Sequence, residues 1–116
     1  MRRIYCKYYS KWTDDIQTQL RKNTFGNLGL MIGVIRTKNP MTYVMLDAKK
    51  VIGWALVDET SQSNNFAMFF IPKKNRRQGI GTKIAKRIKK DYHSFYVEPW
   101  NTSSQKFFDS VKMIIS

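Results

Sequence analysis

The residues best suited to chemistry in this 116-residue sequence form a glycine-rich segment, Arg76-Arg77-Gln78-Gly79-Ile80-Gly81-Thr82. Glycine permits backbone angles that turn several amides toward one point, and its missing side chain lets a phosphate approach. An amphipathic helical pattern begins at Ile80, so the unpaired amides and positive dipole end of a helix point to the same place. The segment therefore predicts a phosphate or pyrophosphate site, and a surface turn that leads into a helix is the alternative.

Two other phosphate-binding loops do not fit this segment. The dinucleotide fingerprint G-x-G-x-x-G requires a third glycine where Ile84 stands, and the P-loop pattern G-x-x-x-x-G-K-[ST] is absent. The spacing therefore argues against both a dinucleotide-binding fold and a P-loop nucleotidase.

The charge balance is strongly positive, with 21 Lys and Arg against 8 Asp and Glu and a net charge of +13. Such a field attracts polyanions, and the candidates are nucleic acid, an acidic protein and a phosphorylated cofactor. The alternative is that the charge only keeps the protein soluble. Either way, we expect salt-sensitive, non-specific binding to DNA or RNA.

Several classes of protein do not fit the composition. Cys6 is the only cysteine and His93 the only histidine, so we expect no internal disulfide, no thiolate cluster and no metal site. The start of the chain lacks a secretory pattern, and the most apolar stretch, 25–35, is shorter than the roughly 20 residues that cross a bilayer. We therefore expect a cytoplasmic protein that makes no use of a membrane, with one domain over residues 1–116.

The elements that must position the glycine-rich segment follow from periodicity and turn residues. Their order predicts an α/β (α+β) fold, with a single mixed, mostly antiparallel central sheet and helices on both faces. The predicted elements are a strand at 3–9, a helix through Trp12, Ile16 and Leu20, an irregular segment at 24–39, a hairpin of 41–46 and 51–57 joined by a four-residue loop, a strand at 66–71, a helix at 80–92, a short strand at 95–97 and a helix from about residue 101.

Four segments in this order resemble the GCN5-related N-acetyltransferase (GNAT) family. Arg76-Arg77-Gln78-Gly79-Ile80-Gly81 is similar to the family's coenzyme A loop, [QR]-x-x-G-x-[GA]. Ile71-Pro72 precedes this loop, as an apolar residue and a proline often do in the family, with one residue more between Pro72 and Arg76 than is usual there. The hairpin carries the glycine and aromatic residue of the family's hairpin as Gly53-Trp54. The pattern of the family's later strand and helix is matched by Phe95, Val97, Asn101, Ser104 and Phe107-Phe108. The resemblance spans roughly residues 41 to 112.

The resemblance implies an N-acetyltransferase in which an amine attacks the thioester of acetyl-CoA directly, with no metal. A backbone N–H near Phe70 or Ile71 would stabilise the oxyanion, and a lysine or arginine near the loop would pair with the 3′-phosphate. The cofactor-binding residues that it implies are Phe69, Phe70 and Ile71 for the pantetheine arm, Arg76, Arg77, Gln78, Gly79, Ile80, Gly81 and Thr82 for the pyrophosphate, and Asn101 and Phe108 on the last helix.

The catalytic acid and base are harder to assign. Phe108 stands where many members carry a tyrosine, so the candidates for the acid are Tyr96, Ser103 and Ser104, or water. Glu98 is the first candidate for the base, with Asp58 and Glu59 as others. For each of these side chains the alternative is ordinary packing, helix capping or a solvated carboxylate.

The acceptor is predicted only by class. The family usually has two strands after the last helix, and here at most one could follow, which predicts an acceptor groove that is open on one side or completed by a second subunit in a homodimer. An open basic groove favours an amine on a protein, a peptide or a nucleic-acid-linked acceptor, acidic or polyanionic in character. The alternatives are a nucleic-acid-binding or partner-binding protein on the same fold with little or no catalysis.

Overall fold

A four-stranded antiparallel sheet with spatial order β1-β2-β3-β4 forms the centre of the computed structural model, which describes residues 2–23, 38–59, 65–75, 78–97 and 105–115. The elements are β1 (Arg2–Tyr8), α1 (Asp14–Lys22), β2 (Met41–Asp47), β3 (Lys50–Glu59), β4 (Asn65–Phe70), α2 (Ile80–Tyr92) and α3 (Gln105–Ile115), with short 3-10 turns at Tyr9–Lys11 and Lys73–Asn75. Tyr96 forms an isolated parallel bridge to Phe66 beside β4. The predicted mixed, mostly antiparallel sheet is therefore confirmed.

Helices cover both faces of the sheet, as predicted. Trp12, Ile16 and Leu20 pack α1 and its approach onto one face, and α2 and α3 pack onto the other. Because successive side chains of a strand point to opposite faces, the interior of β3 and most of β4 are buried on both sides. The near-continuous apolar runs of these two strands reflect that double burial.

Helix α1 begins where its sequence provides a cap. The backbone N–H of Ile16 donates to Oγ1 of Thr13 at 3.3 Å, and Asp14 and Asp15 place negative charge in the first turn, where the helix dipole favours it. The indole Nε1 of Trp12 then donates to Oγ1 of Thr42 at 2.6 Å, which fixes the start of the helix against β2.

A β-bulge in β3 changes which side chains face each layer. Met45 pairs with Gly53 but Leu46 pairs with Val51, so Ile52 is the extra residue. As a consequence the alternation shifts by one residue: Val51 packs on the α1 side with Trp54 and Leu56, and Ile52 packs on the α2 side with Ala55 and Val57. The bulge lies at the end of β3 that faces the approach to α2.

The turn of the β2–β3 hairpin differs from the predicted one. Asp47 pairs with Lys50, so the hairpin closes through a two-residue turn, Ala48-Lys49, instead of a four-residue loop. Ala48 takes the left-handed conformation that this turn needs, with a φ of 57°, and alanine gives no sequence signal for it. Residues 113–115 continue α3 and do not form a further strand. The irregular segment predicted at 24–39 lies outside the described residues apart from its last two positions.

Two tyrosines connect α2 to the sheet through hydrogen bonds to carboxylates. The hydroxyl of Tyr43 donates to Oδ2 of Asp91 at 2.7 Å, and that of Tyr92 donates to Oε1 of Glu59 at 2.6 Å. Burial, and then these hydrogen bonds, raise the pKa of Tyr43 and of Tyr92 above the ordinary value. Both contacts therefore depend on neutral phenols.

We expect the stability from these tyrosines to be lost in alkali. A phenol whose pKa is higher in the folded than in the unfolded protein contributes fully below the unfolded value, about 10, and its contribution falls as the pH rises above it. Urea unfolding at about pH 9 and about pH 11 should show a drop in the free energy of unfolding that is smaller in the Tyr43→Phe/Tyr92→Phe variant. An equal drop in both proteins would contradict this role.

Candidate functional site

The N-terminus of α2 offers unpaired amides beside open space. Gly79 precedes the helix in the left-handed conformation, with a φ of 73°, and a Cβ built on it would meet no atom of the described residues within 4 Å. The N–H of Lys83 donates to the carbonyl of Gly79 at 3.0 Å, so the amides of the first turn before Lys83 have no acceptor within the helix. No acidic side chain lies in that turn. This end of the helix can therefore attract an anion.

Gly81 makes room for α3. A Cβ on Gly81 would lie 2.5 Å from both Cε1 and Cζ of the Phe107 ring, which is closer than packed carbon atoms approach. The same ring meets Phe69 of β4 edge-on, with centroids 5.3 Å apart. Phe107 thus joins α3 to the first turn of α2 and to β4. The sequence pattern places Phe107 on the last helix, but this contact does not follow from the pattern.

The loop before α2 is anchored to the β3 bulge. The side-chain Nδ2 of Asn75 donates to the carbonyl of Ile52, the extra residue of the bulge, at 3.1 Å. Beside it, a Cβ on Gly53 would lie 2.6 Å from Cγ2 of Ile80 and 2.9 Å from Cδ1 of Ile71. The hairpin glycine therefore lets the start of α2 lie close to β3. Asn75 has no counterpart in the sequence analysis, because only the fold brings it to the bulge.

The outer edge of β4 is paired only near its start in the part of the chain that the structure describes. The N–H of Ala67 donates to the carbonyl of Tyr96 at 3.0 Å, and that of Tyr96 donates to the carbonyl of Asn65 at 2.9 Å. Since backbone groups alternate along a strand, those of Phe69 point to the same edge, whereas those of Phe70 pair with β3. The edge at Phe69 leads toward α2 and suits a ligand with amide groups.

The structure brings several predicted cofactor residues to this region. Phe69 and Ile71 lie on the face of β4 that α2 covers, and the ring of Phe70 stacks on Trp54 on the opposite face, at 4.7 Å between centroids. Gln78 and Gly79 are exposed, Ile80 and Gly81 are buried, and Thr82 is half-buried on the first turn of α2. The predicted residues Arg76, Arg77, Glu98, Asn101, Ser103 and Ser104 lie outside the described residues, and Phe108 is described only as part of α3.

Among the catalytic candidates, Tyr96 lies at the edge of the sheet. Its partly exposed ring packs against Phe66, with centroids 4.9 Å apart. Two of the candidate bases already have partners, since Nζ of Lys38 lies 3.1 Å from Oδ1 of Asp58, which is buried, and Glu59 accepts from Tyr92. Within the described ranges, no group of three His, Cys, Asp or Glu side chains could hold a metal ion.

Positive charge gathers close to the loop. Lys50 lowers the pKa of Lys74, first through the close approach of the two side chains and then through the repulsion between their positive charges. Lys50 starts β3 and Lys74 belongs to the turn before α2, so both lie at the end of the sheet where α2 begins. This placement adds to the attraction for an anion at the helix start.

No helix in the described part of the chain is long and apolar enough to span a bilayer.

Solved structures of several acetyltransferases have the same fold. The N-acetyltransferase from Staphylococcus aureus Mu50 superposes with a TM-score of 0.64 at 9% identity, covering 97% of this chain and 81% of that one. The aminoglycoside N-acetyltransferase AAC(6′)-Iy in complex with CoA gives 0.64 at 14%, covering 94% and 89%. An aminoglycoside acetyltransferase from an uncultured soil metagenomic sample, in complex with sisomicin, gives 0.66 at 15%, covering 99% and 88%. These similarities show the fold.

A search of curated proteins finds no match. A family model, in contrast, shows the family from the sequence. The model of the acetyltransferase (GNAT) domain matches residues 26–110, which include β2 to β4, the glycine-rich loop, α2 and the first half of α3. With the open first turn of α2 and the partly unpaired edge of β4, the chain therefore belongs to the GNAT family and is an acyltransferase.

Proposed function

We propose that residues 1–116 act as one domain that transfers an acetyl group from acetyl-CoA to an amine. The observation that carries the proposal is the open, left-handed Gly79 at the start of α2, one loop away from the partly unpaired edge of β4. The amides of the helix start would hold the pyrophosphate, and the edge near Phe69 would hold the pantetheine arm. The CoA in the AAC(6′)-Iy complex supports this choice of cosubstrate.

The chemistry requires an oxyanion donor, a base and an acid. Attack of the amine on the thioester carbonyl forms a tetrahedral oxyanion, and its collapse breaks the carbon–sulfur bond and releases the thiolate. Because the backbone of Phe70 pairs with β3, the alternation favours an N–H of Phe69 or Ile71 as the donor. Glu98 as base, with Tyr96, Ser103, Ser104 or water as acid, stay predictions.

The acceptor that we propose is an amine of a protein, a peptide or a nucleic-acid-linked molecule in the cytoplasm. A net charge of +13 disfavours association with polycations, a class that includes aminoglycosides. Several described carboxylates are also engaged internally: Asp58 with Lys38, Glu59 with Tyr92, and Asp91 with Tyr43. These observations support a neutral or anionic acceptor. A homodimer that completes the groove stays a prediction.

The cofactor site is tested by a pair of substitutions at Gly79 that differ only in charge. Gly79→Glu and Gly79→Gln add side chains of the same size and impose the same backbone strain, about 1–2 kcal/mol, because both residues disfavour a positive φ. We expect calorimetry to show that Gly79→Glu binds acetyl-CoA at least about tenfold more weakly than Gly79→Gln, since its carboxylate repels the pyrophosphate. Equal affinities would contradict a pyrophosphate site at this helix start.

Turnover is a separate measurement. Release of free coenzyme A thiol should depend on an added amine, with acidic peptides and aminoacyl-tRNA compared against polyamines and an aminoglycoside. We expect higher kcat/KM for the anionic carriers and a decrease with added salt. Tight binding of acetyl-CoA without thiol release for any amine would contradict the catalytic proposal and leave the cofactor site standing.

A further inference from the structure

Helix α2 carries a row of cations on the side that faces away from the sheet. Ile84, Ala85 and Ile88 are buried against the sheet. The exposed side of the helix holds four basic side chains, which we call the α2 basic face: Lys83, Lys86, Arg87 and Lys90. Burial of the opposite side fixes the helix, so these charges have a defined arrangement on a rigid element.

The fold does not require this charge. Lys83 and Arg87, and likewise Lys86 and Lys90, are four residues apart, and like charges at that spacing destabilise a helix by about 0.2–0.5 kcal/mol per pair. Only Arg87 has an ion pair, with its Nε 3.4 Å from Oδ2 of Asp91, among the contacts that the described residues make with this face. That carboxylate also accepts from Tyr43. The three lysines therefore remain uncompensated by the described part of the chain.

The composition of the α2 basic face indicates what kind of polyanion fits it. The exposed large apolar side chains of the described residues are Tyr5, Tyr8, Tyr96 and Met113, and none of them lies on α2. Protein interfaces normally contain an apolar or aromatic centre, whereas non-specific binding of a nucleic-acid backbone rests almost entirely on charge. The face therefore favours phosphodiester groups over an acidic protein surface. Its apolar side is buried in the core, so the helix cannot insert into a lipid bilayer.

We propose that the α2 basic face binds the sugar-phosphate backbone of nucleic acid without regard to sequence. The axial distance from Lys83 to Lys90 is about 10 Å at 1.5 Å per residue. A duplex carries one phosphate per 3.4 Å of its axis on each strand, so that distance corresponds to about three phosphate spacings along the axis. Apart from Lys83 in the first turn, the face lies along the helix beyond the start where the cosubstrate is proposed to bind. The inference does not depend on the proposed catalysis.

The experiment compares two triple variants that remove the same charge. Lys83→Gln/Lys86→Gln/Lys90→Gln changes the α2 basic face, and Lys11→Gln/Lys22→Gln/Lys49→Gln changes exposed lysines elsewhere. Binding of a labelled mixed-sequence 20-mer RNA and the matching duplex DNA is measured by fluorescence anisotropy at several salt concentrations. For the α2 variant we expect a Kd increase of at least about tenfold. The negative slope of log K against log salt should become shallower by about 2–3. The control variant should change that slope by less than about 1.

The outcomes separate this site from the alternatives. Equal losses in both variants would show that binding follows total charge, and would overturn the proposal. Equally salt-sensitive binding to polyglutamate, or to vesicles that contain phosphatidylserine, with the same loss in the α2 variant, would also overturn it. Calorimetry with acetyl-CoA on both variants provides an independent readout: unchanged affinity together with lost RNA binding would support two separate sites, whatever the outcome for catalysis.

Discussion

Replacing Gly81 with alanine is expected to destabilise the protein by about 1–3 kcal/mol, the usual cost of overpacking a closed contact. The added methyl group would lie 2.5 Å from two atoms of the Phe107 ring. That ring cannot simply sink toward the sheet, because Phe69 meets it edge-on at 5.3 Å. Either α3 must move outward or the first turn of α2 must shift. Both shifts disturb the helix start, so we expect acetyl-CoA affinity to fall by at least about tenfold as well.

A double-mutant cycle tests whether Phe107 is the cause. In a Phe107→Ala background the clash disappears, and alanine is a better helix former than glycine by about 1 kcal/mol. Gly81→Ala should then be neutral or stabilising in urea unfolding, although Phe107→Ala is itself destabilising. If Gly81→Ala costs the same free energy in both backgrounds, the contact with α3 is not what requires glycine.

The sequence predicts those elements whose periodicity is repeated over several turns or strand residues. Trp12, Ile16 and Leu20 recur every four residues, and all three are buried, Ile16 and Leu20 on α1 and Trp12 just before it. Ile84 and Ile88 do the same for α2. The apolar run of β4 predicts burial on both faces, and both cores contain residues from it. These predictions succeed because the pattern and the burial have the same cause.

The contacts that shape the candidate site could not be predicted in this way. The extra residue Ile52 and its partner Asn75 are 23 positions apart, and neither residue type indicates that the Asn75 side chain would donate to the carbonyl of Ile52. Gly81 can be recognised as part of a phosphate loop, but its contact with Phe107 depends on how α3 crosses α2. The resemblance to a family supplies the order of the parts. The tertiary fold decides which backbone groups and side chains meet.

Replacing Trp54 with alanine is expected to cause the largest loss of stability, about 3–5 kcal/mol, which is typical of truncating a large buried aromatic residue. The side chain is fully buried and stacks on Phe70 at 4.7 Å, and its Nε1 donates to the carbonyl of Asn23 at 3.3 Å. Asn23 follows the last residue of α1, so Trp54 also fixes the end of that helix over the sheet. Urea unfolding followed by circular dichroism measures the loss without using tryptophan as the probe.

Trp54→Phe is the matched control, because it keeps an aromatic ring against Phe70 and removes the hydrogen bond to Asn23. We expect it to cost about 1–2 kcal/mol, from the lost hydrogen bond and the smaller ring. If Trp54→Phe were as harmful as Trp54→Ala, the hydrogen bond at the end of α1 would outweigh the packing of the core. Phe70 belongs to β4, the strand whose outer edge is proposed to hold the pantetheine arm. Loss of the Trp54 ring removes its support for Phe70, so Trp54→Ala should also bind acetyl-CoA more weakly at temperatures where the protein is still folded. An unchanged affinity there would show that β4 keeps its geometry without support from the α1 side of the sheet.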